Sequence, residues 1–336
     1  MGRLSIVAIG LLVGLLAALP VFAAEPAAVQ ALEIRTRPIA HFRIGSDETR
    51  FGPFEFVGGL EMTSSGRDFG ALSAFRFLAP GSDFVGVADT GFWFFGSILH
   101  DEEARPSGVA GFSMQQMVDA GGRAIDAKWE VDAEGLDVSD GIATVGFERN
   151  HRIAQFRIAP GAMAAPFKLL DFLVPANELR RNKGFETVTR SNADGPLAGA
   201  IVVISERSID ADGNVFAAVL EGPGKGVFKV RRDGDFDITD GKFLPNGDLL
   251  LLERRFTIAE GVAMRLRRLE AASIGKGRLA DGPVLMSADM GYQIDNMEAM
   301  DVWRRGDGAL MVSLMSDDNH SMLERNLYLE FRLHED

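Results

Sequence analysis

The sequence has 336 residues, of which 46% are hydrophobic and 25% are charged, a composition typical of a globular protein with a large core. It contains 48 acidic residues against 35 basic ones, so its formal net charge at pH 7 is −13. This charge argues against nucleic acid as the main partner and against attraction to an anionic membrane, because both require a basic surface. The chain has no cysteine, which excludes disulfides, thiolate metal ligands and a cysteine nucleophile.

The first residues have the pattern of a secretory signal peptide. Arg3 gives a short positive start, residues 4–19 form an almost unbroken apolar run, and Ala23 ends a stretch of small residues typical of a cleavage site. We therefore expect residues 1–23 to be removed and residues 24–336 to form a periplasmic or secreted protein with no membrane attachment. An uncleaved anchor is the alternative, but the run is short for a membrane span of roughly 20 residues.

The rest of the chain shows the pattern of short β-strands joined by tight turns. Asp or Asn followed by Gly, which supplies the positive φ angles of tight hairpins, occurs at 140–141, 194–195, 212–213, 233–234, 246–247 and 307–308. Apolar or alternating runs of strand length separate these turns. Only residues 110–120 and 175–181 indicate short helices, so the pattern predicts an all-β fold.

Several of the apolar runs end on the same kind of polar cap. The caps are Asp89, Glu148, Glu206, Glu253 and Asp317, and an arginine directly follows three of them at Arg149, Arg207 and Arg254. A second signature precedes three of the caps, at Glu134, Glu186 and Glu298. Self-similarity at roughly 50 residues, all in strands, is typical of a β-propeller with four-stranded blades. Five caps and an imperfect blade near residues 57–60 favour six blades in one closed domain with a core of about residues 50–334; five and seven blades are the alternatives.

Equivalent blades would bring the repeated acids together at one mouth of the central channel. Carboxylates gathered there raise one another's pKa unless a positive charge intervenes. One remedy is Ca²⁺, which takes six to eight oxygen ligands. The other is a structural girdle, in which the arginines after the caps pair with acids of neighbouring blades and hold the blades together. The sequence alone leaves both interpretations open.

The segments that carry these signatures resemble the phytase-like family, which is described as having esterase-like activity of the phytase type. The resemblance is densest over residues 236–256 and continues, in the family's order, through residues 69–75, 88–91, 132–136, 147–149, 182–186, 204–207, 296–300 and 316–319. Ala71 and Ala299 replace expected small or glycine residues, and Asp89 lacks a preceding serine. The resemblance implies a secreted β-propeller that hydrolyses a small phosphoester or ester with the help of Ca²⁺. We expect it to act as a monomer.

The repeat and the resemblance together predict two sets of site residues. The expected metal ligands are Asp89, Glu134, Glu186, Glu298, Asp317 and Asn319. The expected catalytic set, which would supply a general base, further ligands and positive charge for the transition state, is Glu148, Glu206, Asp240, Glu253, Arg207 and Arg254. Two alternative functions remain, a non-catalytic periplasmic propeller that binds a ligand or a protein, and a Ca²⁺-dependent lactonase.

Overall fold

The computed structural model describes residues 28–335, so the expected signal peptide at residues 1–23 lies outside the described residues. Four strands precede the first blade: β1 (Val29–Ala31), β2 (Arg35–Ile39), β3 (Arg50–Phe51) and β4 (Phe54–Thr63). The first blade contains β5 (Leu72–Phe77), β6 (Asp83–Ala88), β7 (Phe92–His100) and β8 (Pro106–Gln116). After the short helix α1 (Lys128–Val131), the second blade contains β9 (Ala133–Ser139), β10 (Ile142–Phe147), β11 (Arg152–Arg157) and β12 (Lys168–Leu170).

The remaining strands complete three more blades. The third blade contains β13 (Phe185–Arg190), β14 (Ile201–Ile209), β15 (Val215–Val219) and β16 (Gly226–Val230). The fourth contains β17 (Asp237–Phe243), β18 (Leu249–Thr257), β19 (Gly261–Leu269) and β21 (Val284–Ala288); a 3-10 turn (Ala271–Ser273) and β20 (Leu279–Ala280), which pairs with β16, lie between its last two strands. The fifth contains β22 (Asn296–Arg304), β23 (Leu310–Asp317) and β24 (Asn326–Leu333).

Each blade starts with an inner strand and continues outwards through antiparallel neighbours. The inner strands β5, β9, β13, β17 and β22 contact one another in ring order, with β22 returning to β5. Residues 28–335 therefore form a β-propeller of five blades, which confirms the predicted fold class. The count is one of the two alternatives that the repeat left open.

The two ends of the described chain meet in the fifth blade. Strand β4 pairs antiparallel with β24, placing Leu60 opposite Tyr328, and β2 adds a further strand outside β4. Residues 57–60, which the sequence suggested as an imperfect extra blade, are thus the middle of β4. This pairing of early and late strands closes the ring through backbone hydrogen bonds.

Both predicted helices are absent from the described residues. Residues 110–116 belong to β8, which pairs with β7 and β1, and residues 175–181 form turns and an isolated bridge. No helix within residues 28–335 is long and apolar enough to cross a membrane.

Apolar side chains fill the spaces between blades. The largest cluster joins β18 and β19 of the fourth blade to β22, β23 and β24 of the fifth, and includes Leu252, Leu314 and Leu329, all fully buried. Each such leucine contributes about 1.5–3 kcal/mol through the hydrophobic effect. This packing holds the inner strands firmly around the channel.

Candidate functional site

A β-bulge near the start of every inner strand determines which side chain enters the mouth of the channel. The extra residue at each bulge has no partner on the second strand. Bulges of this kind redirect a side chain relative to its neighbours. From the first blade to the fifth, the bulged residues are Ser73, Glu134, Glu186, Thr239 and Glu298. The repeated Glu signature of the sequence is therefore the signature of this bulge, with a hydroxyl residue in the first and fourth blades.

The second strand of each blade adds one side chain next to the bulge. The residue before each bulge pairs with one residue of the second strand. The next residue along that second strand carries the added side chain. In blade order these residues are Asp89, Glu148, Glu206, Arg254 and Asp317. The position thus holds an acid in four blades and an arginine in the fourth blade.

Nine of these ten residues, all except Thr239, surround a cavity of about 140 Å³ at the mouth of the channel. Its lining consists of Ser73, Asp89, Glu134, Glu148, Asn182, Lys183, Glu186, Glu206, Arg254, Glu298, Asp317 and Asn319. Seven carboxyl groups thus face two cationic side chains. All six expected metal ligands are in this lining, and so are Glu148, Glu206 and Arg254 of the expected catalytic set.

The structure places the other three expected catalytic residues away from the cavity. Glu253 is buried and pairs with Arg265 and with Arg267, whose Nη2 lies 2.6 Å from Oε1 of the glutamate. Successive strand residues point to opposite faces of the sheet, and therefore Arg254 enters the mouth while Glu253 does not. Arg207 pairs with Asp237 of the next blade at 2.6 Å.

Asp240 belongs to a buried ion pair that spans the channel. Its two carboxylate oxygens accept hydrogen bonds from Arg76 at 2.7 and 2.8 Å, and one of them also accepts the backbone N–H of Met300 at 2.8 Å. Arg76 and Asp240 are at most 1% exposed. They lie on β5 and β17, the inner strands of two blades that are not neighbours in the ring. The pair therefore bridges the channel and holds opposite blades together.

Three cations partly neutralise the mouth, two in its lining and Lys128, whose Nζ lies 2.6 Å from Asp89. Arg254 lies between two neighbouring blades, with Nε 2.9 Å from Glu298 and Nη2 3.8 Å from Glu206. Lys183 lies 2.6 Å from the other oxygen of Glu206. The girdle proposed from sequence thus exists at Arg254 and Arg207, whereas Arg149 pairs within its own blade with Asp132. Even with these cations and the girdle of arginines, most of the mouth carboxyl groups have no positively charged partner.

Burial and mutual repulsion raise the pKa values of most of the mouth carboxyl groups. Desolvation by burial is the largest cause in each case. It raises the pKa of Glu148, Glu298 and Asp317 to about 7, and those of Glu134 and Glu186 well above their ordinary value. The negative charges of neighbouring acids raise these pKa values further.

The pKa of Glu206 is raised as well, by burial first, although Lys183 and Arg254 act to lower it. Two nearby cations are therefore too few to offset the desolvation of this carboxyl group. At neutral pH the mouth must hold protons or bind a further cation.

Two groups of carboxylates have the geometry to bind a metal ion. Oxygens of Glu148, Glu186 and Glu206 all lie within 4.8 Å of one another, and the same holds for Asp89, Asp132 and Glu134. In each group one buried oxygen has no hydrogen-bond donor, Oε1 of Glu206 and Oδ1 of Asp89. Carboxylate oxygens are the ligands that Ca²⁺ prefers. The donor set therefore fits calcium.

Four residues near the mouth were missed by the sequence-based prediction. They are Ser73, Asp132, Asn182 and Lys183. Their signal was available, because each stands one to four residues from a predicted site residue or at the bulge position of its blade. The prediction followed the strand-end caps and the repeated Glu signature, and so it passed over Ser73 at a bulge and Asp132, Asn182 and Lys183 on the segments that precede the inner strands.

The structural comparisons give distant matches. The chain is similar to an endo-arabinase from Bacteroides thetaiotaomicron VPI-5482 at 11% identity and a TM-score of 0.42, covering 76% of this chain and 96% of that one. It is also similar to a hypothetical protein from Leishmania major at 9% identity and a TM-score of 0.40, covering 85% of this chain and 86% of that one. Similarities this distant do not indicate what the protein does. No curated protein matches the sequence.

The family comparison is more specific. The phytase-like family model, described as esterase-like activity of phytase, matches residues 67–320. This range covers most of the chain and contains every residue that lines the mouth cavity. The chain belongs to the phytase-like family.

Proposed function

We propose that this protein is an exported, Ca²⁺-dependent hydrolase of phosphoesters or esters. The observation that carries the proposal is the mouth cavity, in which seven carboxyl groups face two cations and an oxygen of Glu206 has no donor. An unpaired buried charge costs several kcal/mol unless a proton or a cation compensates it. A site of this kind favours a bound divalent cation at neutral pH.

In this proposal Glu148, Glu186 and Glu206 hold Ca²⁺, with Asp89, Glu134, Glu298 and Asn319 as further oxygen ligands around the same mouth and Asp317 left free of the ion. When bound, the ion would supply a positive centre for a phosphoryl or carbonyl oxygen and acidify a water. Export requires removal of residues 1–23, and N-terminal sequencing of the secreted protein, expected to begin at Ala24, tests that step.

The chain's own residues would provide acid–base chemistry and charge stabilisation. A general base works best when its pKa lies near the working pH, and burial raises the pKa of Asp317, which lies outside the Glu148, Glu186 and Glu206 group, to about 7 in the metal-free protein. Arg254 and Lys183 line the same cavity and offer N–H donors to negative charge that develops on the substrate. Asp240, Glu253 and Arg207 support the blades instead.

The test combines calcium titration by calorimetry with a substrate screen. Wild type and the Glu186→Gln variant are compared on aryl phosphates, acyl esters and lactones, with the exposed Glu102→Gln as control. We expect Glu186→Gln to lose calcium binding and turnover together, and Glu102→Gln to retain both. Calcium binding without turnover of any substrate would indicate a ligand-binding propeller, and turnover of lactones alone would indicate a lactonase. Failure to bind calcium would refute the metal-dependent mechanism.

A further inference from the structure

Six large apolar side chains are exposed on segments that carry or contact residues of the acidic mouth, or pack beside such segments. We call this set the apolar collar, and it consists of Trp129, Phe256, Ile258, Met290, Met322 and Leu323. The side chains of Ile258 and Leu323 are 98% and 93% exposed, and Trp129 is 52% exposed. Single apolar residues are common on protein surfaces, but a group of them around one site marks a place of binding.

The segments that carry the collar are each attached to a mouth residue. Trp129 directly follows Lys128, whose Nζ lies 2.6 Å from the carboxylate of Asp89. Phe256 and Ile258 come two and four residues after Arg254, where β18 runs into its hairpin with β19.

The remaining collar residues are attached in the same way. Met322 and Leu323 lie on the loop that leaves the mouth at Asn319. Met290 packs beside the β18–β19 hairpin, since a Cβ added to Gly261 would lie 2.9 Å from its side chain. The collar residues thus belong to segments that leave or contact the mouth at the first, fourth and fifth blades.

The size and polarity of the cavity limit what can enter it. A volume of about 140 Å³ is close to that of cavities that hold one benzene molecule. Carboxylate, amide, hydroxyl and cationic groups form the lining. One polar group, such as a phosphate or an ester, fits inside this cavity. The rest of a larger substrate must lie outside, on the side of the entrance where the segments of the collar begin.

We propose that the substrate is an amphiphile whose phosphate or ester group enters the cavity while an alkyl or aryl portion lies on the collar. This inference rests on the proposed function and names its substrate class. Burial of alkyl groups against Phe256, Ile258 and Leu323 supplies affinity that the small cavity does not. A substrate with many phosphates is disfavoured, because most of them would remain outside beside uncompensated acids. The net charge of −13 likewise disfavours an anionic lipid surface.

Trp129 provides a direct readout of binding. The chain has three tryptophans, and the other two, Trp93 and Trp303, are buried. The probes are ethyl phosphate and octyl phosphate, each below its micelle-forming concentration and titrated with and without Ca²⁺. We expect octyl phosphate to shift the emission of Trp129 to shorter wavelength and to bind at least about tenfold more tightly, the gain from burying roughly two methylene groups.

Variants of the collar identify where the chain binds. The double variant Ile258→Ser/Leu323→Ser should bring the affinity ratio of the two probes close to one. Leu169→Ser is the matched control, because Leu169 is 64% exposed on β12, the outer strand of the second blade. This control should retain the ratio of the wild type.

The outcomes separate this inference from the proposed function. Equal affinity for ethyl and octyl phosphate would refute binding of the alkyl chain to the collar. An affinity ratio that the double variant leaves unchanged would refute it as well. Tight binding of octyl phosphate without hydrolysis of any octyl ester would support the collar and refute the hydrolase. Octyl phosphate binding that is unaffected by calcium removal and by Glu186→Gln would show that the phosphate does not enter the mouth, and would also overturn the inference. A last control is flotation of the protein with phosphatidylcholine vesicles. If the protein floats with the vesicles and octyl phosphate does not reduce the floated fraction, the collar binds a lipid surface and the inference is overturned.

Discussion

The carboxyl group of Glu148 should make the metal-free protein lose stability as the pH rises. Burial raises its pKa to about 7, and the charges of Glu206 and Asp132 add to this, while the Gly184 amide that donates to it acts in the opposite direction. In the unfolded chain the same group ionises near its ordinary value of 4.5. Between these two values the folded state binds more protons than the unfolded state, so the unfolding free energy falls as pH increases. The stabilisation is fully present below about pH 4.5 and is lost as the pH passes about 7.

The size of the effect follows from the pKa values. A rise from 4.5 to about 7 corresponds to about 3 kcal/mol of unfolding free energy. Glu148 is 5% exposed, so solvent screens little of this. The Glu148→Gln variant does not ionise, and its side-chain oxygen still accepts the N–H of Gly184, which lies 2.6 Å from the carboxylate. We therefore expect the variant to be more stable than wild type by up to about 3 kcal/mol near pH 8 and equally stable near pH 4.

Urea unfolding in the presence of a chelator, at a series of pH values from about 4 to 8, measures this difference. Glu102→Gln, on the exposed loop between β7 and β8, is the control and should follow the wild type throughout. Added calcium should then raise the unfolding free energy of the wild type near pH 8 more than that of Glu148→Gln, because the variant has lost one charged ligand. A stability difference between Glu148→Gln and wild type that is the same at both ends of the pH range would refute the reasoning. So would a metal-free wild type that becomes more stable as the pH rises.

Two further predictions concern buried ion pairs outside the mouth. Arg76→Met should lower the unfolding free energy by about 3–5 kcal/mol because it leaves Asp240 buried and unpaired. In urea unfolding, the double variant Arg76→Met/Asp240→Leu should recover much of this loss. A double variant as unstable as the single one would contradict the role of Arg76 as the partner of Asp240. Glu253→Gln should lower stability, since Arg265 and Arg267 lose their shared carboxylate, yet calorimetry should find its calcium affinity unchanged. A loss of calcium affinity would place Glu253 at the mouth after all.

The repeated caps and turns were sufficient to predict the propeller, but not the number of blades. The strand that completes the fifth blade, β4, contains Leu60, and its partner Tyr328 lies far along the chain. Such a pairing has no local signal, since a strand that completes a distant blade looks like the start of a new one. The predicted helix at residues 110–120 failed for a related reason. Residues 110–116 form the end of β8, which has strands on both sides, and pairing with distant residues overrides weak local preference.

In four blades the predicted strand-end acids line the mouth cavity, and in the fourth blade the residue at the mouth is Arg254, one position after the predicted acid Glu253. The sequence comparison aligned Glu253 with Glu206, because an arginine follows each of them. Residues 249–252 are all leucine, so no alternation of polar and apolar residues shows which face each side chain takes. Only the register with β17, which puts Glu253 opposite Ile238, shows that Arg254 is the residue at the mouth.

The departures from the repeat determine the chemistry of the mouth more than the repeat itself does. Five blades offer ten positions, the bulge and its neighbour in each, and seven of these hold acids. The exceptions are Ser73 in the first blade and Thr239 and Arg254 in the fourth. Ten acids would need many cations, whereas this arrangement places a fixed guanidinium between Glu206 and Glu298. In the function proposed above, the remaining acids would hold the metal ion, and Arg254 would attract the negative oxygen of a substrate, so that the group to be attacked would be oriented between the guanidinium and the ion.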